Sequence, residues 1–598
     1  MPIGRDILFE YLHELGVRYL FGVPGTNEVP LIDGTSVAAN EVDYIPCLHE
    51  NIAVGAAMGY ARASGRPGVV ELHVTPGAAH GIGNLFNAYK SHIPLVVLCA
   101  QQHNELVLQE PLLASDLVRT AGQYTKWAWE VRSPDELGLV FQRAFKEALT
   151  PPQRPVFISI PWEFTLAEVP FAPAHVTSVG AHFAGDPAAV GAAVERLAEA
   201  KKPIIVAGDG VGAAEAWAPL GELATLLGAP VYSETLSSFA NFPNTAAPWQ
   251  GELPQTQQTM QEAFAGHDVA FLCGYNAQAQ VLVFKYALGP MIPSDVAQVY
   301  LHDDAWEIGK NAYGEVAILG DIAVTLGEMV AAIKGHPAYE GDAATTRRQT
   351  LEGDDEERRH ELAGHRGRLD ARDSAEPISG EEVAIALAKL QPKLPAPLML
   401  SNEAVSDSKY FQQYPNFARP SDYFSGQGGS LGWSMPAALG MKLATGEERT
   451  VVNAVGDGSA LFYPHTWWTT SKFDLAILYL VVNNREYRTL VNGVAAVEQI
   501  YAPWKPSGAP WYLRLDDPPM NFAALAAPYG VKGEQVSSRG ALPEALLRGI
   551  AAVAAGSPYM IDIVVDPSLP EQLPAPRFDV LLARKEAPDA REPYLGPA

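Results

Sequence analysis

Val451-Val-Asn-Ala-Val-Gly-Asp-Gly-Ser459 reads as a buried strand that ends in a carboxylate flanked by two glycines. A helix-length segment follows, then a second apolar run over 475–482, which ends in Asn483-Asn484. Continuous apolar runs of this length suit strands covered on both faces, and two of them joined by a helix make a right-handed βαβ unit. Asp457 and Asn484 are 27 residues apart (484 − 457), enough for one helix and one strand. Both then stand at carboxyl ends of parallel strands, where open α/β sheets bind ligands.

The residue types suit a metal and a diphosphate. Mg²⁺ takes oxygen ligands in an octahedron and shares them with phosphate. Asp457 supplies charge, Asn484 a neutral carbonyl, and the turn beyond it a backbone carbonyl at Glu486. Gly456 and Gly458 let backbone N–H groups approach phosphate oxygens, and the Ser459 hydroxyl adds a donor. The chain carries its own control. Gly208-Asp209-Gly210, with Gly212 beyond it, repeats the pattern, but Leu236 stands 27 residues on (236 − 209) and no Asn pair follows. That loop reads as a structural strand-to-helix turn, with a dinucleotide site as the alternative.

Similar apolar runs recur at 67–74, 93–100, 155–161, 203–207, 269–273 and 476–482, with helical patterns between them. The expected fold class is therefore α/β, with three doubly wound parallel-sheet domains. A Pro-, Ala- and Gly-rich stretch at 168–185 and a charged stretch at 335–381 divide the chain into 1–170, 185–335 and 375–565. The charged stretch, with Gly353-Asp-Asp-Glu-Glu-Arg-Arg-His360 inside it, reads as a solvated helix plus connector. From about residue 567 the chain reads as an extended tail.

A formal net charge of −26 argues against a nucleic-acid partner, because phosphates are repelled. Cys47, Cys99 and Cys273 show no spacing of a zinc site or disulfide framework, which fits a reducing cytoplasm. The first residues lack the basic and apolar regions of a signal peptide, and no apolar run is long enough for a membrane span.

Gly456-Asp-Gly-Ser459 with Asn483-Asn484 resembles the signature of thiamine-diphosphate-dependent enzymes. Phe21-Gly-Val-Pro-Gly-Thr-Asn-Glu28, Leu48-His-Glu-Asn-Ile-Ala-Val-Gly-Ala-Ala-Met-Gly-Tyr-Ala61 and Ala100-Gln-Gln102 are similar to the benzoylformate decarboxylase branch. So are Asn402-Glu403, Gly428-Gly-Ser-Leu-Gly432 and Pro436-Ala-Ala-Leu-Gly440. The resemblance spans almost the whole chain. It implies a pyrimidine-binding first domain, a central domain and a diphosphate- and Mg²⁺-binding last domain. It also implies thiamine diphosphate and Mg²⁺ as cofactors, with the cofactor held between the first domain of one copy and the last of another. A homo-oligomer follows, commonly a dimer of dimers.

The resemblance gives roles to individual residues. Glu50, in a Gly- and Ala-rich segment that reads as a closely packed helix, hydrogen-bonds N1′ of the aminopyrimidine and favours the tautomer that activates the thiazolium carbon. Leu431 props the cofactor in its bent form, and Tyr487 packs near the pyrimidine or over the metal turn. Asn402, Ser406 and Ser459 are neighbours of the diphosphate. His73, at the end of an apolar run, carries protons at near-neutral pH. Thr26 stands where the branch has a serine that touches the substrate carboxylate; it keeps the hydroxyl and adds a methyl.

One departure limits the resemblance. The branch's second catalytic histidine belongs in the central domain, and Gly274-Tyr-Asn-Ala-Gln-Ala-Gln-Val-Leu282 contains none. Gln278 or Gln280 can hydrogen-bond there but cannot shuttle a proton; His103 and His465 are spare candidates. Trp433, Phe462, Trp467 and Trp468 cluster near the motifs, a pattern more common in cores than in pockets. The expected activity is decarboxylation of a 2-oxo acid to an aldehyde, with or without carboligation to an aldehyde acceptor. The alternatives are an acetolactate synthase-type carboligase, which a bound flavin would mark, and a non-catalytic protein of the same fold. Intact Glu50, Asp457 and Asn484 speak against the last.

Overall fold

The computed structural model describes residues 2–169, 174–276, 289–500 and 511–568. The expected tail beyond 568, Gln278 and Gln280 lie outside the described residues. All six apolar runs read from the sequence form strands. The first sheet comprises β1 (Tyr19–Gly22), β2 (Asp43–Pro46), β3 (Gly68–Leu72), β4 (Leu95–Gln101), β5 (Trp127–Glu130) and β6 (Val156–Pro161). The second comprises β7 (Pro203–Ala207), β8 (Val231–Ser233), β9 (Trp249–Glu252), β10 (Val269–Cys273), β11 (Ala297–His302) and β12 (Val316–Leu319). The third comprises β13 (Leu398–Glu403), β14 (Tyr423–Phe424), β15 (Thr450–Gly456), β16 (Ile477–Asn483), β17 (Lys532–Val536) and β18 (Tyr559–Val564). Every pairing within them is parallel.

The outer two sheets share one plan. Their orders are β2-β1-β3-β4-β6-β5 and β14-β13-β15-β16-β18-β17, which are the same order when each is counted from its own first strand. The central sheet runs β12-β11-β10-β7-β8-β9, the order of dinucleotide-binding folds, with its switch point between β7 and β10. Helices cover both faces, so β4, β6 and β16 are buried along their whole lengths. The charged stretch forms a single helix, Gly341–Asp370, of which only Ala344 and Asp355 are buried. Its Arg347 donates to Leu227 O (2.9 Å) in the central domain, and Arg539 of the last domain caps its end at Leu369 O.

The first and last domains meet through helices Glu50–Ser64 and Ser434–Thr445. Both are rich in small residues, and their backbones touch. A Cβ on Gly59 would lie 1.9 Å from Ala437 O, and one on Gly440 1.8 Å from Ala56 O. Only hydrogen fits at either crossing. Gly440→Ala is expected to cost about 3 kcal/mol in chemical unfolding, since neither backbone can retreat. Gly191→Ala, on an exposed helical turn with nothing near its Cβ, is expected to stabilise by about 0.5–1 kcal/mol. Equal effects from the two changes would refute the close crossing.

Candidate active site

Residues singled out in the last domain come from the carboxyl ends of its neighbouring strands. Asp457 follows β15 and is buried. Gly458 N–H donates to its Oδ1 (2.8 Å), and Arg485 N–H donates to Oδ2 (2.6 Å). Arg485 holds φ at +60°, which aims that amide back at the carboxylate. No cation pairs with Asp457 among the described residues, and burial pushes its carboxyl up to about 7. Asn484, after β16, accepts Glu486 N–H on Oδ1 (3.0 Å), which leaves its second lone pair free. The Tyr487 ring covers Gly458 so closely that a Cβ there would lie 2.6 Å from it. Among the described residues the buried Ser459 hydroxyl makes no close hydrogen bond, although it faces the Glu403 carboxyl. A buried, uncompensated carboxylate beside a neutral oxygen donor, a buried hydroxyl and glycine amides fits Mg²⁺ and a diphosphate.

The loops around this turn are held in part by Glu403, to which the sequence reading gave no role. Glu403 ends β13; its Oε1 accepts Gly432 N–H (2.7 Å) and its Oε2 accepts Ser434 N–H (2.9 Å), so it fixes the loop that carries Leu431. Burial pushes Glu403 up to about 7. Asn402 is fully buried, and its amide is spent on its own turn: Nδ2 donates to Ser408 O and Tyr423 Oη, and Oδ1 accepts Ala404 N–H. It therefore shapes the turn from beneath. Ser406, in that turn, lies 3.0 Å from Thr489 Oγ1, just beyond the Asn484–Tyr487 turn. Trp433 and Trp467 are core residues, whereas Phe462 is exposed.

In the first domain, Thr26, Glu50 and His73 follow β1, β2 and β3, three adjacent strands. Glu50 is the first residue of its helix and is buried. His49 caps that helix by accepting Asn51 N–H on Nδ1 (3.0 Å). Asn51 in turn donates to Tyr463 Oη of the last domain (2.6 Å), which ties the head of the helix to the loop after Ser459. His80 Nδ1 lies 3.1 Å from Glu50 Oε2, an arrangement the sequence did not announce. The His80 ring stacks on His49 at 5.1 Å, and His465 lies 5.9 Å from His49. Burial lowers the basicity of His49 and His465.

His73 occupies the residue before helix Val74–Lys90 and points Nδ1 at Glu28 Oε2, 2.6 Å away. Val74 N–H donates to the other Glu28 oxygen (3.2 Å). Val74 holds φ at +42°, a genuine outlier for a β-branched residue. Such strain costs about 1–3 kcal/mol and gathers where geometry matters to function. Here it points the amide and the imidazole at one carboxylate. Thr26 Oγ1 is near Asn27 Oδ1 (3.3 Å), and Asn27 reaches Gln102 beyond β4 (3.2 Å). His103 is apart from this group, beside Trp162 and 3.6 Å from Glu163.

At the switch point of the central sheet, the glycines of the 208–212 loop are pressed by protein. Cβ atoms on Gly208 and Gly212 would meet Gly274 O at 2.1 Å and the Phe239 Cβ at 2.5 Å. Asp209 and Glu234 are buried there, and Asn276 and Gln427 donate to them. Two carboxyls in that position oppose a phosphate.

Models of three thiamine pyrophosphate enzyme domains match the chain: the N-terminal TPP-binding domain over 3–118, the central domain over 190–329 and the C-terminal TPP-binding domain over 405–563. The chain belongs to the thiamine pyrophosphate enzymes. Benzoylformate decarboxylase from Pseudomonas aeruginosa is 29% identical over 94% of this chain and 99% of its own length. The probable acetolactate synthase large subunit of Methanocaldococcus jannaschii is 26% identical over 96% and 93%. In fold, the thiamine diphosphate-dependent 4-hydroxybenzoylformate decarboxylase of Rhodococcus jostii RHA1 matches with a TM-score of 0.78 at 24% identity, covering 94% of this chain and 99% of its own. Benzoylformate decarboxylase from Polynucleobacter necessarius matches with a TM-score of 0.79 at 23% identity, covering 95% and 99%. As a member of this family the chain is a thiamine-diphosphate-dependent enzyme.

Asp457 generates a testable pH dependence in the cofactor-free protein. Its folded value of about 7 exceeds the ordinary 3.8. Between those values the folded form binds more protons than the unfolded, so stability falls as pH rises and levels off above about 7. Asp457→Asn makes that slope shallower in thermal melts. Mg²⁺ with inorganic diphosphate raises Tm above about pH 7 in the wild type and does not in Asp457→Asn. Identical responses in both proteins would exclude the metal site.

Proposed function

We propose that the chain decarboxylates a 2-oxo acid to an aldehyde, with thiamine diphosphate held through Mg²⁺ on Asp457, Asn484 and the Glu486 carbonyl. The bound cofactor supplies the electron sink for the carbon–carbon bond that breaks. Glu50 hydrogen-bonds the aminopyrimidine. Thr26 positions the substrate carboxylate. His73, oriented by Glu28, delivers the proton that replaces the departing CO₂ at the carbonyl carbon. Ser406, Ser459 and the Gly456–Gly458 amides hold the diphosphate, Leu431 braces the cofactor from the loop that Glu403 locks, and Tyr487 closes the metal turn. The observation that carries this reading is the 2.6 Å Glu28–His73 pair in the same strand-end cluster as Glu50. A proton carrier beside the cofactor's own base suits release of a protonated product.

In this reading the first domain of one copy completes the last domain of another, so the working unit is a homo-oligomer, a dimer of dimers. The sparse, unpaired cysteines support a cytoplasmic setting. The benzoylformate decarboxylase relatives favour an aryl 2-oxo acid. A second reading, carboligation of the acetolactate synthase type, is supported by the relatives of that name and by the absence of a histidine from 274–282.

A panel of aromatic and aliphatic 2-oxo acids, scored for aldehyde and for carboligation products, separates the two. Aldehyde release dominates if the proposal is right; 2-hydroxyketones or acetohydroxy acids as the main product would replace it with the second reading. His73→Ala lowers kcat for decarboxylation by about 10²–10⁴ with little change in Tm. Glu50→Gln abolishes turnover while cofactor still binds. Wild-type kcat in either variant removes that residue from the reaction.

A further inference from the structure

Glu71, in β3 two residues before His73, belongs to none of the roles above, yet it is fully buried. No ion pair reaches it among the described residues. Tyr44 Oη donates to its Oε2 (2.9 Å), while Oε1 is buried with no hydrogen-bond partner among the described residues. A cavity of about 10 Å³ lies between Glu71 and Glu28, closed by Asn27, Leu31, Leu98 and Cys99. Only apolar surface opens into it, so it is a dry gap that offers Oε1 no polar partner.

The charge balance of the cluster assigns the proton. Glu71 faces Tyr44 from β2, Cys47 beyond it, Glu28 from the loop after β1, Glu50 from its helix and Cys99 from β4. None of these is a cation. Glu28 has the His73 imidazole on one oxygen and the Val74 amide near the other; Glu71 has one phenol. Two neighbouring buried carboxylates repel each other, and Glu71 is the one without a cationic or amide partner among the described residues, so it keeps a proton. Burial raises both, and raises Glu71 well above the usual carboxylate range. Because Oε2 already accepts from Tyr44, the proton belongs on Oε1, the oxygen without a partner.

We propose that Glu71 is a positioning residue that stays protonated at working pH, so that the negative charge of the pair rests on Glu28 and holds His73. Nothing is consumed; the proton stays on Glu71, and His73 keeps a full counter-charge. The inference rests on His73 as the proton carrier only for its consequence in the reaction. The protonation itself is a property of the cofactor-free protein and is measured there.

Glu71→Gln mimics the neutral acid in shape and charge. The infrared spectrum of the cofactor-free wild type at neutral pH contains the C=O stretch of a protonated carboxylic acid that Glu71→Gln lacks. The His73 imidazole, assigned by its loss in His73→Asn and followed by NMR, titrates at the same pH in wild type and Glu71→Gln. Were Glu71 ionised, the Gln change would remove no such band and would remove a negative charge, moving the His73 midpoint down by about half a unit or more; either result overturns the proposal. Tyr44→Phe, which keeps Glu71 but deletes the donor to Oε2, shifts the same band without removing it. A band indifferent to both substitutions belongs to another acid and also overturns the assignment. If His73→Ala leaves turnover intact while the infrared result holds, the reaction role fails and the buried proton stands.

Discussion

Two helices cross with nothing between their backbones. Where Gly59 passes Ala437 and Gly440 passes Ala56, no side chain beyond hydrogen fits, and the seating of each chain's first domain on its last depends on that crossing. One helix begins at Glu50; the other continues from the loop that carries Leu431. A shift at the crossing would move the head of the first helix against the loop that Glu403 pins. The hydrogen bonds from Asn51 to Tyr463 and between Asn87 and Ser430 fasten the same junction from its edges. Packing at this contact thus transmits position to chemistry, and side-chain bulk is absent because it would decouple them.

Around that crossing the protein buries negative charge sparingly paired. Glu28, Glu50, Glu71, Glu403 and Asp457 are all buried, and none has an Arg or Lys within ion-pair distance among the described residues. Each is stabilised instead by backbone amides, a histidine or a phenol. Burial makes Glu28, Glu71, Glu403 and Asp457 hold protons more tightly than exposed carboxylates do. The strained backbones at Val74, Val405 and Arg485 have the same logic, since their positive φ values lie at the strand ends that present the site.

Much of this was legible in the chain. Parallel strands buried on both faces announce themselves as apolar runs, and the runs read from the sequence are strands. The contrast between Asp457 and Asp209 was legible too, because it depends on spacing: one Gly-Asp-Gly leads to an Asn pair on the next strand, and the other packs its glycines against Gly274 and Phe239. What escaped was pairing across sequence distance. Glu28 and His73 are 45 residues apart (73 − 28), Glu50 and His80 30 apart (80 − 50), and Glu403 meets Gly432 and Ser434 across a whole strand and loop. A carboxylate in a motif gives no sign of its partner until the sheet brings them together. Asn402 shows the converse: its motif position was legible, but its use beneath the turn follows only from its four hydrogen bonds, to Ala404, Ser408 and Tyr423.

The solvent-covered helix Gly341–Asp370 has a mechanical meaning. Its 30 residues span about 45 Å. Arg347 and Arg359 anchor it to backbone carbonyls of the central domain, and Arg539 grips its far end. A beam pinned at both ends opposes hinging, so this helix braces the central domain against the last.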